Sequence, residues 1–273
     1  MSGESFNRVL VITVKEWQIA FKNRTILLLM LLMPVLLIAL PLLLLAYVGT
    51  ISSSAGNGSL GLVLNNPSLV QPQLFELFQA ALANQFMLLL LIVALPLPAV
   101  IAVQSVAEEK RSRSFEPLLT TPISLSELLV GKVLAAALPG ILSIWLSFVV
   151  YWLLAGLLVL SDAVFNSIIN LTWILAMVLV GPLLALLSAC LGLLVSLRSN
   201  APRASGQLSL LVTLPIVLLF VAQALGVPVV NPLIMLILAL ISGGIDFWLF
   251  RLARSFLHRE TLLTVEQRPA TRP

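Results

Sequence analysis

The sequence contains one cysteine and one histidine, and these two scarcities remove whole classes of chemistry. A lone cysteine cannot close an internal disulfide, and Cys190 sits deep in an apolar run, where it carries no information about redox compartment. With His258 as the sole imidazole, placed in the C-terminal tail, no Ser-His dyad and no histidine metal cluster can form at membrane depth, which removes the intramembrane enzymes. There is no G-x-x-x-x-G-K-[ST] phosphate loop, so the chain is not expected to hydrolyse ATP by itself or to bind a cofactor of its own. Charge is scarce too: Asp, Glu, Lys and Arg make up 10% of the 273 residues, against 60% hydrophobic residues. A soluble domain is about 45–50% apolar even counting glycine. The mean hydropathy of +1.12 therefore points to an all-α integral membrane protein.

The apolar residues gather into six runs that can each cross a bilayer, which needs about 20 of them. These are residues 25–48, 82–103, 133–160, 168–197, 208–225 and 232–250. Pro34 and Pro41 are expected to kink the first, and Pro96 and Pro98 lie in the second. Before the first run, Phe6, Val9, Leu10, Thr13, Trp17, Ala20 and Phe21 recur at helical spacing with Arg8, Lys15, Glu16 and Lys22 between them. Residues 1–24 are thus expected to form an amphipathic helix lying at the membrane surface, with Trp17 among the headgroups. The run that follows is too long for a signal-peptide core and lacks a small-residue cleavage site, so the N-terminus is expected to be retained. Residues 49–73 read as a loop, 74–81 as a short surface helix and 161–167 as a turn. The Asn57-Gly58-Ser59 sequon is too short to carry weight.

The net charge of +4 would suggest a nucleic-acid partner in a soluble protein. Here the basic residues flank apolar runs, and topology explains them better. Of the fifteen Lys and Arg residues, four precede the first run, four lie in the stretch 104–132, two between the fourth and fifth runs and five in the tail 251–273; the three opposite connections hold none. By the positive-inside rule both termini and both basic loops are cytoplasmic. In the fourth run Gly181, Ala185 and Ala189 are spaced by four, as are Ser188, Gly192 and Ser196, which allows another helix to approach closely, inside one subunit or between two. Asp246 is the one carboxylate expected within a run. Five residues before Arg251, it is expected to snorkel or to pair with the basic tail.

The stretch Glu108 to Lys132 stands out as a charged island between apolar runs. Ser114 is a good N-cap, Pro117 falls in a first helical turn, and Phe115, Leu118 and Leu119 share one face, so a short helix is expected there. Thr121 and Pro122 break it. Ser124 with Glu127 then makes an S-x-x-E capping box that starts a second helix. The segment offers a small apolar knob, framed by charge, to something in the cytoplasm.

With these residues in view, the chain resembles the permease subunits of type-2 ATP-binding-cassette (ABC) exporters over nearly its whole length. Lys15-Glu16 followed by Lys22-Asn23-Arg24 and a proline-bearing run is similar to that family's connecting helix and first span. Glu108-Glu109-Lys110 through Glu116, Leu118-Leu119, Thr121-Pro122-Ile123-Ser124 and Glu127-Leu128-Leu129 to Gly131-Lys132 resembles its coupling region, with Ser114 where a Gly-Thr pair is common. The loop 198–207, with Arg198 and Pro202-Arg203-Ala204, and Arg259-Glu260-Thr261-Leu262-Leu263-Thr264 resemble further family segments. The resemblance implies two permease copies in a bacterial or archaeal cell membrane. It also implies a separate ATPase subunit, carrying ATP and Mg, that receives the coupling helix through Phe115, Glu116, Leu118, Leu119, Thr120 and Pro122.

A rigid lever is expected to join the surface helix to this loop through ion pairs of Glu108, Glu109 or Arg111 with Lys15, Glu16 or Arg24. Short outside connections and only scattered polar groups in the runs (Ser143, Ser147, Thr172, Thr213, Gln223) favour a lipophilic or amphipathic cargo. A membrane scaffold or passive channel, which needs no ATPase, is the alternative.

Overall fold

The computed structural model describes residues 3–56, 72–93, 95–112, 124–159, 161–198, 203–227 and 231–266. Among them there is no strand, and long helices follow the apolar runs. α1 spans Gly3–Ala20, α2 Arg24–Gly56, α3 Pro72–Val93, α4 Pro96–Ser112 and α5 Leu125–Leu158. A short α6, Asp162–Ile168, precedes α7, Leu171–Leu175, which passes through a π-helical stretch at Ala176–Val180 into α8, Gly181–Arg198. α9 is Arg203–Ala224 and α10 Pro232–Glu266.

Among the described residues, five helical segments are long and apolar enough to cross a membrane: Ile26–Ile51, Phe75–Val106, Ser126–Leu158, Asp162–Leu197 and Pro232–Ser255. α9 is 22 residues long, and its part from Thr213 to Ala224 is apolar but shorter than the other five. Buried apolar side chains of all these helices merge into one core. The apolar stretch of Phe75–Val106 is 69% buried within the chain, against 18% for that of Ile26–Ile51 and 22% for that of Pro232–Ser255. α3, α4, α5 and α8 therefore form the centre, and α2 and α10 present apolar flanks outward.

Several helices run further than apolarity alone suggests. α2 has 33 residues and α5 has 34, each about 50 Å at 1.5 Å per residue, well beyond a hydrocarbon core of about 30 Å. α2 continues through Pro34 and Pro41. The second run instead divides. Leu95 forms a turn whose N–H donates to the carbonyl of Ile92 at 3.1 Å, and Pro96 starts a new helix, since its ring and missing N–H suit a first turn and not a helix interior. The carbonyl of Leu95 is taken up by the Ser188 hydroxyl of α8. Residues 161–167, expected as a turn, are mostly helical as α6; the chain breaks its helix at Ile169 and Asn170, where the Asn170 side chain caps α7 by accepting from the N–H of Trp173 at 3.0 Å.

α4 and α8 make the closest helix pair, running in the same direction. Ser188 bonds the carbonyl of Leu95, and eight residues on, Ser196 donates to the carbonyl of Val103 at 3.2 Å. Between them Gly192 lets the backbones touch: a Cβ there would lie 2.8 Å from the Ala99 oxygen and 3.0 Å from its Cα. On another face of the same helix, a Cβ on Gly181 would meet Ile144 of α5 at 2.9 Å. Ala185 and Ala189 are fully buried. The small-residue pattern of the fourth run is thus packed inside this chain.

Side-chain amides hold together the half of the bundle away from α1. Gln79 of α3 donates to the carbonyls of Leu45 at 3.2 Å and Leu158 at 3.1 Å. Asn84 accepts from the Trp173 indole at 2.7 Å, and Gln85 donates to the carbonyl of Phe220 at 2.7 Å. α3 is thereby tied to α2, α5, α7 and α9. The π stretch shifts the hydrogen-bond register of its own backbone, and the Trp145 indole of α5 donates to the Met177 carbonyl there at 3.0 Å.

Candidate functional site

The stretch that the sequence singles out, residues 108–132, is rooted where α4 ends and α5 begins. The capping box is formed at the start of α5: the N–H of Glu127 donates to the Ser124 hydroxyl at 3.2 Å, and the N–H of Ser124 donates to the Glu127 carboxylate at 2.9 Å. Each satisfies a backbone donor that the first helical turn leaves open, worth about 1 kcal/mol. Glu127 also lies 4.0 Å from Arg8 of α1, a partly solvated pair that contributes about 0–1 kcal/mol.

α1 lies along this first part of α5, and its sequence sorts into three sectors. Val9, Ile12, Thr13, Glu16 and Ala20 face the bundle and are buried. Phe6, Leu10, Val14 and Phe21 form an exposed apolar stripe. Arg8, Lys15 and Lys22 occupy the remaining arc. Gly131 admits the buried sector, since a Cβ there would sit 2.8 Å from Ile12 Cγ2. Thr13 donates to the Val9 carbonyl at 2.9 Å and reaches the Gly131 carbonyl at 3.3 Å. Trp17, expected among lipid headgroups, is half-buried, and its indole donates to the Ala135 carbonyl at 2.8 Å.

The centre of the arrangement is an ion pair. The Lys132 ammonium donates to Glu16 Oε1 at 2.9 Å and to the Ser105 hydroxyl at 2.7 Å. The two charged side chains are only 5% and 9% exposed, so water screens them little and the loss of one partner is costly. Glu16 belongs to α1, Ser105 to α4 and Lys132 to α5, so one ammonium clamps three helices. Beside it the Asn23 amide donates to the Gln104 carbonyl oxygen at 2.8 Å, tying the α1–α2 corner to α4. A small cleft lined by Glu16, Asn23, Gln104, Ser105 and Glu108, with Ile19, Ile26 and Ile101 as its apolar wall, opens between these helices.

The structure thus gives Glu16 a partner that the sequence reading had not assigned to it. Glu108 is exposed and borders the same cleft; Lys15 and Arg24 are exposed on α1 and at the start of α2. Glu109 and Arg111 lie in the last turn of α4, Arg198 ends α8 and Arg203 begins α9, while the side chains of all four are outside the described residues. Ser114, Phe115, Glu116, Pro117, Leu118, Leu119, Thr120, Thr121 and Pro122 also fall outside them, as do residues 57–71 with the sequon and the side chains of the tail motif at 259–264. Helix therefore reaches inward from both ends of the stretch 104–132: α4 ends at Ser112 and α5 starts at Leu125. Asp246 does not pair with the basic tail among the described residues: both carboxylate oxygens are buried without a hydrogen-bond partner. Arg251 is exposed, five residues on and so about 140° round the helix.

Lys132 and Ser105 are the site residues that sequence reasoning passed over. Lys132 was visible as part of the Gly131-Lys132 pair, and its separation of 116 residues from Glu16 is what hid the contact. Among the described residues no cluster of three or more His, Cys, Asp or Glu could hold a metal ion. Residues 10–245 match the family model described as ABC-2 family transporter protein. No curated protein matches the chain.

Proposed function

Since the chain belongs to the ABC-2 family of transporter proteins, whose members are membrane components that work with an ABC ATPase, we propose that it is the permease half of an exporter powered through residues 108–132. In this reading a separate subunit binds ATP and Mg and docks on the knob of Phe115, Leu118 and Leu119. Closure of two ATPase subunits then rocks two permease copies between inward-open and outward-open states. α9 is the sixth span, both termini are cytoplasmic, and the exposed stripe of α1 rests in the interface of a bacterial or archaeal cell membrane.

The observation that carries this reading is the Glu16–Lys132–Ser105 clamp. A segment that receives force needs a stiff root, and this one is held on both sides by helices locked to each other and to α1. A solvated topological anchor would need no buried ion pair beneath it. An amphipathic cargo fits the apolar spans, whose few buried hydroxyls bond largely to carbonyls, as Ser147 does to Ser143 at 2.7 Å.

The test is co-purification from the native membrane. A stoichiometric ATPase should accompany the wild-type chain and be lost on Leu118→Asp, with the permease itself still monodisperse in detergent. A permease that purifies without any ATP-hydrolysing partner would favour the scaffold or passive channel.

A further inference from the structure

Five candidate spans contain four acidic residues, of which Glu76, Glu127 and Asp162 lie within two residues of a span end. Asp246 differs. It is fourteen residues from Pro232 and nine from Ser255, the bounds of its span, which puts it about 21 Å along the helix axis from the outer end. Both of its oxygens are buried with no hydrogen-bond partner. The Ser242 hydroxyl, one turn away, is spent on the Ala239 carbonyl at 3.1 Å, and across the seam α8 offers the thiol of Cys190 within electrostatic reach. α10 is bare beside this carboxylate. Gly243, three residues back and on the same face, carries no side chain there, and a Cβ on it would have Leu183 of α8 as its nearest neighbour at 3.7 Å.

An unpaired carboxylate in an apolar span is expensive to keep and marks a functional position. A metal ion does not fit, because hard cations ask for about six or more oxygen ligands and the described residues hold no group of three metal-ligating side chains. A small hydrated cation would have to give up its water for a single carboxylate. A large organic cation gives up little hydration and gains the apolar wall as well. We propose that Asp246, with the side-chain-free notch at Gly243 on the same face of the helix, is a binding point for a lipophilic organic cation such as a bulky ammonium. The notch receives the apolar body while the carboxylate neutralises the charge. The oxygens are covered in this arrangement, so occupation accompanies a parting of the α8–α10 seam. The identification of this ligand as cargo rests on the permease reading; the binding itself does not.

The probe is tetraphenylphosphonium, with tetraphenylborate as a size-matched anion, measured by equilibrium binding to the full chain in lipid nanodiscs after subtraction of empty discs. Wild type should bind the cation and not the anion. Asp246→Asn should weaken cation binding about tenfold or more, whereas Asp246→Glu should stay within about threefold. Gly243→Val keeps the charge and fills the notch, and should weaken binding comparably, so the proposal stays testable if the Asn variant does not fold. Absence of charge-selective binding to wild type, or equal binding by the Asn or Val variants, overturns it. No ATPase is present in the assay, so such a failure would leave the permease reading standing, and loss of ATPase co-purification would leave the site standing.

Discussion

Replacing Lys132 by methionine is expected to lower the melting midpoint of the detergent-solubilised protein by roughly 6–20 °C, the equivalent of about 3–5 kcal/mol for stranding one partner of a buried ion pair in a chain of this size. The loss comes from Glu16, which stays 9% exposed with its carboxylate facing Ser105 and an apolar wall. Replacing both partners, as Glu16→Leu with Lys132→Met, removes the stranded charge and should return most of that stability. The double variant separates two roles. If the pair only fills space, transport recovers together with stability. If it stiffens the root of the coupling segment, the melting midpoint recovers while ATP hydrolysis stays uncoupled from transport. Melting curves beside coupled and uncoupled ATPase rates in proteoliposomes read both quantities, and full recovery of coupling in the double variant would remove the clamp from the mechanism.

The second large effect is expected at Gly192. Alanine there places a Cβ against the Ala99 carbonyl at 2.8 Å, and neither partner is a side chain that can swing away. Leucine has to drive α4 and α8 apart, at about 3 kcal/mol or more, a midpoint lower by roughly 6–12 °C. The separation would also break the bonds of Ser188 and Ser196 to the Leu95 and Val103 carbonyls. Each is worth roughly 0.6–2 kcal/mol between membrane helices. Ala189, fully buried on the same helix, already carries a Cβ at its packing surface, so Ala189→Gly forces no helices apart and should lower the midpoint by clearly less. Equal thermal stability of Gly192→Leu and wild type would contradict the α4–α8 packing.

Part of this architecture is written in local patterns, and those parts are the ones a reader of the sequence can recover. Apolar runs longer than a bilayer is thick become helices because the backbone must bond internally. The Ser124–Glu127 capping box forms because its two bonds join residues three apart. Prolines are less transparent. Pro34, Pro41, Pro139 and Pro215 lie inside continuous helices, whereas Pro96 begins one. Inside α5 the carbonyl four residues before Pro139, that of Ala135, has another donor in the Trp17 indole of α1, a partner far along the chain that local sequence does not show.

Long-range pairing was not legible for the same reason. The spacing of α1 shows an amphipathic helix, yet it does not reveal that Glu16 turns inward to Lys132 and Trp17 to Ala135. Neither does composition show that Asp246 lacks a partner, since Arg251 is near in sequence and on another side of the helix. The functional reading depended on order along the chain, with no single motif carrying it.

The most direct test of the claim that energy enters this protein at residues 108–132 is a photo-cross-linking amino acid in place of Leu119, activated in membranes that contain the intact assembly. The account predicts an adduct with one ATP-hydrolysing subunit, formed in good yield and absent when the reporter replaces Tyr47 at the far end of α2. An adduct with lipid alone, or with no ATPase in any nucleotide state, would contradict it.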